Sequence, residues 1–235
     1  MSSKQKRIKE RIDRGNLRAQ RVAEYITRCT GYVLEQTSLD EDMRLKLDFR
    51  NPISGRTFQI KVRDERQDFI HETHKFKQFG QVTPRTNFDQ QPGRDAVCQA
   101  DFYVNVPCPK VLERRGRNVV MERQRIEITR TEFVKNISDT MHEDWGVCQI
   151  TNEMIYEWWR RGDHCVHAME NGCQIWFKID EGSDTEPYGK LLSFVSRKAL
   201  EEAESNVVVI ETLNGEELFC PDTWKTKETT NVKAT

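Results

Sequence analysis

Met43-Arg44-Leu45-Lys46-Leu47-Asp48-Phe49-Arg50 alternates apolar and polar residues without a break. Met43, Leu45, Leu47 and Phe49 fall on one side and Arg44, Lys46, Asp48 and Arg50 on the other, the period-two pattern of a half-buried strand. Asn51-Pro52-Ile53-Ser54-Gly55 supplies turn chemistry, and Thr57-Phe58-Gln59-Ile60-Lys61-Val62-Arg63 alternates again, so a hairpin is expected. One register keeps the apolar residues together: Phe49 against Phe58, Leu47 against Ile60 and Leu45 against Val62. A slip of one residue would break that match. The same register sets Asp48 across from Gln59 and Lys46 across from Lys61 on the polar face.

Upstream of the hairpin, Leu17, Val22, Tyr25 and Ile26 recur at helical spacings and Gly31 follows as a stop, so an amphipathic helix ending near Cys29 is expected. Residues 1–15 carry charge without an apolar stripe and read as a frayed tail or the exposed start of that helix. Downstream, residues 66–97 show little periodicity and read as a long loop, a length that is uncommon unless functional. Phe102, Val104 and Val106 mark a third strand closed by Pro107 and Pro109. A basic turn at Arg114-Arg115-Gly116-Arg117 precedes a returning strand within 119–129, and Phe133, Val134, Ile137 and Met141 repeat at helical spacing. Farther on, a Trp-rich helix over about 151–161 is stopped by Gly162. Strands are expected at 173–179 and 207–213, with a short helix at 196–203. The elements predict an α/β (α+β) chain, organised as a basic arm (1–15), a core (16–145) and a C-terminal α+β extension (146–235).

The chain has 235 residues, 36% of them hydrophobic, enough for a sizeable core. No stretch reaches the length of a membrane span and the start is charged rather than apolar, which predicts a cytoplasmic protein without a membrane partner. The seven cysteines are odd in number and never form a C-x-x-C pair, as expected of reduced thiols. A net charge of −1 conceals a segregation along the chain. Lys4, Lys6, Arg7, Lys9, Arg11, Arg14, Arg18, Arg21 and Arg28 face only Glu10, Asp13 and Glu24 at the beginning, whereas the stretch from Asp180 to Asp222 is predominantly acidic. Such polarity gives a positive side able to meet phosphates, unless the arm is a merely solvated charged helix.

Phosphodiester hydrolysis needs a divalent cation and a group that neutralises charge in the transition state. Mg²⁺ prefers hard oxygens, takes one or two carboxylates and keeps several waters. Asp48 offers a carboxylate, Gln59 a side-chain carbonyl, Ile60 its backbone carbonyl, and Lys61 a cation two residues along on the same face.

A helix, an acidic residue on one strand, a turn, and a second strand carrying (D/E/Q)-x-K resemble the PD-(D/E)XK superfamily, which includes many restriction endonucleases and repair nucleases. The matching residues are Asp48, Gln59-Ile60-Lys61 and Glu24, with Ala100-Asp101-Phe102-Tyr103-Val104 similar to the third core strand. The match covers roughly residues 16–106. It implies a central mixed sheet flanked by helices, that is, a restriction-endonuclease-like core, and a nuclease bound to Mg²⁺ (or Mn²⁺), acting on nucleic acid, DNA in preference. In that arrangement Asp48 and Gln59 bind the ion, Lys61 positions water and stabilises charge, and Glu24 assists. Arg14, Arg18, Arg21, Lys46, Arg114, Arg115 and Arg117 would contact the nucleic acid. Gln59 stands where the family usually has an acid, which lowers the charge at the ion by one. The alternative is a catalytically inactive nuclease-like fold that binds nucleic acid or a protein, with the C-terminal third as the surface for a homodimer or other partner.

Other constellations carry less. His164, Cys165, His167 and Cys173 hold zinc-capable ligand types at a spacing that matches no usual finger. His71-Glu72-Thr73-His74 has its histidines three apart instead of the zincin four. Tyr156, Trp158 and Trp159 suit a helix core better than base stacking.

Overall fold

The structure, a computed structural model, describes residues 3–63, 68–77, 91–92, 95–115, 118–135, 157, 160–162, 165–170, 173–180, 188–202 and 206–212. Helix α1 (Ser3–Thr30) takes in the described part of the basic arm, from Ser3 onward, so that part is the exposed start of the first helix rather than a frayed tail. Its buried stripe is Ala19, Val22, Ala23, Tyr25 and Ile26, spaced so that one face of the second half meets the sheet. The helix stops where expected: Gly31 has φ +72°, and its N–H donates to the Thr27 carbonyl at 2.8 Å, an αL ending that glycine adopts without steric cost.

The stretch that opened the sequence reading departs from its expected form. After β1 (Glu35–Gln36), residues Leu39–Leu45 form helix α2, and only Phe49–Arg50 remain as strand β2. A local signal outweighs the alternation: Ser38 caps the helix, accepting from the Glu41 N–H, while the Glu41 carboxylate accepts from the Ser38 N–H at 3.1 Å. This reciprocal box fills the orphan donors of the first turn, with Asp40, Glu41 and Asp42 suiting the positive end of the helix. Lys46 closes α2 in the left-handed conformation, φ 58°. The expected pairings of Leu47 with Ile60 and Leu45 with Val62 are therefore not formed, whereas Phe49 pairs with Phe58 as expected.

Strand β3 (Thr57–Val62) follows, then β4 (Phe69–Lys77) and β5 (Gln91–Pro92), both within the segment read as a loop. That expectation is corrected for the described part of 66–97. Beyond come β6 (Phe102–Val106), β7 (Val111–Arg115), β8 (Asn118–Met121) and β9 (Arg125–Arg130), the last two replacing a single returning strand. A helical stretch at 131–135 accommodates Phe133 and Val134, while Ile137 and Met141 lie outside the described residues. Of the Trp-rich helix, Glu157, Arg160 and Arg161 are helical and the rest falls outside them. Strands β10 (Cys165–Glu170), β11 (Cys173–Asp180) and β12 (Tyr188–Val195), helix α3 (Arg197–Glu202) and β13 (Val208–Glu211) complete the order.

The result is a mixed α+β protein built on a central mixed sheet of six strands in the order β1-β2-β3-β6-β9-β13, a second sheet β10-β11-β12-β4-β5 and the hairpin β7-β8. In the six-stranded sheet β3 and β6 are parallel and every other pair is antiparallel. Segments on both sides of residue 145 enter both large sheets, because β13 pairs with β9 and β12 pairs with β4. One face of the six-stranded sheet packs on α1 through Phe49, Phe58, Ile60, Val104, Val106 and Ile126, with the Phe58 and Phe102 rings stacked at 5.0 Å. The opposite face is also buried yet largely polar: Gln59, Tyr103, Asn105, Glu127 and Thr129.

The parallel pair is clamped at its start. Asp101 accepts from the Thr57 N–H at 2.8 Å, the Thr57 hydroxyl at 2.9 Å and the Arg56 guanidinium at 2.9 Å. Burial opposes ionisation of this carboxyl, but the Thr57 and Arg56 donors outweigh it and hold it below the ordinary carboxylate range. A carboxyl so held stabilises the fold while ionised, with its contribution complete above that range and lost as pH falls through the folded value. Thermal melts of the wild type and Asp101→Asn are expected to differ by about 1 kcal/mol at neutral pH and to converge as pH falls below the ordinary carboxylate range. A difference that persists unchanged into acid would contradict the clamp. Ser38→Ala, which removes the α2 cap, is expected to cost about 1 kcal/mol in denaturant unfolding.

Candidate functional site

The polar face of β3 presents Gln59 and Lys61, and the neighbouring segments bring further groups to them. Where the hairpin ladder would have continued past Phe49, the chain departs: the Asp48 N–H donates to the Phe58 carbonyl at 3.0 Å, and the Asp48 carboxylate, through Oδ2, accepts from the Ile60 N–H at 2.7 Å. A side-chain oxygen thus replaces the Leu47 carbonyl that a regular ladder would supply, and that carbonyl accepts instead from the Thr37 hydroxyl. Asp48 is therefore fastened to the strand that bears Gln59 and Lys61. Because the N–H and C=O of one strand residue point to the same edge, the Ile60 carbonyl lies on the Asp48 side of β3.

Gln59 is 0% exposed. Its amide is oriented with nitrogen towards the Lys46 carbonyl and oxygen 2.6 Å from Lys61 Nζ, since the reverse would set oxygen on oxygen and nitrogen on ammonium. Cys98 Sγ lies 3.2 Å from the same amide and donates to the Lys46 carbonyl at 3.4 Å. The Gln59 side chain is thus engaged within the protein at both ends, and its role here is to hold Lys61.

The third participant is absent from the sequence reading. Asp95, in the turn that follows β5, has Oδ1 3.9 Å from Lys61 Nζ, and its Oδ2 accepts from the Glu72 N–H at 2.9 Å. Burial works against its ionisation, yet Lys61, His71, the Glu72 N–H and Arg63 together lower its pKa below the ordinary carboxylate value. The turn is bound to the α2–β2 connection: the Gln99 N–H donates to the Leu45 carbonyl at 3.0 Å, and Leu47 packs with Cys98 and Ala100. Glu72 meets Lys190 at 3.6 Å on the adjoining sheet. Asp95 was hidden because it falls in the segment read as a loop, where nothing in the local spacing ties it to Lys61.

Other expected members lie elsewhere. Glu24 is exposed on the side of α1 opposite the stripe that meets the sheet, and it accepts from Gln20 Nε2 at 3.1 Å, so the structure does not bring it to Lys61. Arg14 and Arg21 are exposed and Arg18 is half-buried along the same helix, and Lys46 directs its ammonium to the Met43 carbonyl. Arg114 and Arg115 belong to β7, their side chains not described, and Arg117 lies outside the described residues. His71 and His74 fall on strand β4, so a helical zincin arrangement is not formed there. Of the zinc-capable set, Cys165 and His167 lie on β10 and Cys173 on β11, with His164 outside the described residues.

Among donors of the type a small hard cation takes, Asp48 has a carboxylate, Ile60 a carbonyl on the same edge, and Asp95 a buried carboxylate oxygen, Oδ1, without a hydrogen bond among the described residues. Among the described residues no group of three or more His, Cys, Asp or Glu gathers as a metal cluster, a number that an ion retaining its waters does not require.

Cys98 gives a direct check of the packing around Gln59. Burial pushes its thiol pKa up, and it is sealed under the turn, whereas Cys29 is exposed. Alkylation with iodoacetamide followed by mass spectrometry is expected to label Cys29 in the native protein and Cys98 only on unfolding; rapid native labelling of Cys98 would show that the turn does not cover β3. Among the described residues no helix is long and apolar enough to cross a membrane. No family model matches this chain, and no curated protein or solved structure is significantly similar to it.

Proposed function

We propose that the chain is a Mg²⁺-dependent nuclease with a restriction-endonuclease-like core, hydrolysing phosphodiester bonds in nucleic acid, DNA in preference. The observation that carries this reading is the fastening of the Asp48 carboxylate to the backbone of the strand that bears Gln59 and Lys61. In the resemblance those residues form one centre, and here they share one strand pair.

Asp48 and the Ile60 carbonyl would hold the ion. When bound, the ion polarises the phosphate and lowers the pKa of the attacking water. Lys61 meets the charge that builds on the phosphate, and Gln59 fixes the ammonium with its amide oxygen, so the cation is placed before substrate arrives. Asp48 carries a second duty: bonded to the Ile60 N–H, it fixes the edge on which the carbonyl ligand sits. Arg14, Arg18 and Arg21 form a basic face along α1, and with Lys46, Arg114, Arg115 and Arg117 they would meet backbone phosphates. The protein would act in the cytoplasm.

The sealing of Gln59 favours a second reading, a nuclease-like fold that binds nucleic acid or a protein partner, or pairs with a second copy, without cutting. Incubation with single- and double-stranded DNA and RNA, with Mg²⁺ or Mn²⁺ against EDTA, separates the two. The nuclease reading expects metal-dependent cleavage that drops by about a thousandfold or more in both Asp48→Ala and Lys61→Ala, with retained folding and binding. Binding without cleavage under every metal condition selects the second reading.

A further inference from the structure

We propose that Asp95 is the second carboxylate of the cation site, restoring the negative charge that the neutral Gln59 leaves out; this rests on the nuclease reading above. The side chain of Asp95 is 9% exposed, yet Oδ1 has no hydrogen-bond donor among the described residues. Oδ2 is satisfied by the Glu72 N–H. The nearest cation to Oδ1, Lys61 Nζ, stands at 3.9 Å, beyond hydrogen-bond range, while the same ammonium lies 2.6 Å from the Gln59 oxygen. Lys61 thus hydrogen-bonds the amide and meets the carboxylate oxygen only as a loose ion pair. A carboxylate oxygen buried without a hydrogen-bond donor is costly unless a cation or an ordered water meets it.

Three ties bind the turn that begins at Asp95 to the segment just ahead of Asp48. Gln99 bonds the Leu45 carbonyl, Cys98 bonds the Lys46 carbonyl, and Leu47 packs against Cys98 and Ala100. The turn from Asp95 to Gln99 therefore lies over the connection that delivers Asp48. Two carboxylates and a backbone carbonyl, with water completing the shell, match what Mg²⁺ or Mn²⁺ takes from a protein. The class of ligand is a hard divalent cation, and Lys61, between the amide and Asp95, is left to face the phosphate.

Mn²⁺ binding to the full chain, followed by calorimetry, is expected to weaken by at least about tenfold in Asp95→Asn, a change that keeps the acceptor for the Glu72 N–H, and also in Asp48→Asn. A second measurement uses the wild-type protein alone: Fe²⁺ with ascorbate, substituting for Mn²⁺, is expected to cut the backbone near residues 46–48 and near 95–98, with both cuts suppressed by excess Mn²⁺. Cuts confined to the Asp48 segment, together with unchanged Mn²⁺ affinity in Asp95→Asn, overturn the role of Asp95 and leave the nuclease reading standing. Wild-type protein that takes up no Mn²⁺ and shows no localised cutting overturns both.

Discussion

The fold depends on a parallel pairing between two strands that are far apart along the chain, β3 and β6. Parallel neighbours cannot be joined by a tight turn, so the chain must leave the sheet and come back. It does so by building β4 and β5 of the other sheet, and the return is secured by Asp101 gripping the first residue of β3. Everything at the candidate site follows from this excursion. Lys61 sits near the end of β3, Glu72 lies on the outgoing strand, and Asp95 lies on the way back, so three points of one loop meet over a single polar face.

That face is unusual in being polar and sealed at once. Tyr103 donates to the Ile70 carbonyl at 2.6 Å and accepts from Arg63 at 2.7 Å, binding the six-stranded sheet to β4. Farther along, Glu127 is wholly buried between Arg125 at 2.8 Å and Asn105 at 3.1 Å, with Arg197 at 3.8 Å. Burial raises the Glu127 pKa and the surrounding donors oppose that rise. A buried charge without partners would be far costlier than these bonded ones, so the cluster around Glu127 is tolerated because its groups are bonded to one another. Such networks fix one geometry where an oily layer would permit several.

How much was legible from the residues varies with the range of the interaction. Helix α1 and its stop, β3, β6, β11 and the pairing of Phe49 with Phe58 follow from periodicity, because each buries one face along a continuous segment. The stretch from Met43 to Leu45 departs from its alternation because a capping box, Ser38-x-x-Glu41, competes with it. β4 was missed because its burial depends on β12, more than a hundred residues away, and its sequence mixes His, Glu, Thr and Lys without a clear apolar face. The site was half legible. Strand parity put Gln59 and Lys61 on one face, and Asp48 reached them through an irregular contact with the Ile60 N–H. Glu24 came from the resemblance alone and lies elsewhere, while Asp95 is placed by tertiary structure that no local spacing encodes.

The position of β4 within its sheet bears on how the chain is made. Its partner β12 emerges from the ribosome long after it, and until then the long edge of β4 has no neighbour on that side. Synthesis proceeds at about 5–20 residues per second, so the interval lasts several seconds or more. An open edge held for that long is a template for pairing with other chains. The polar makeup of His71-Glu72-Thr73-His74-Lys75, which obscured the strand to pattern reading, is also what keeps such an edge from adhering to its neighbours during the wait.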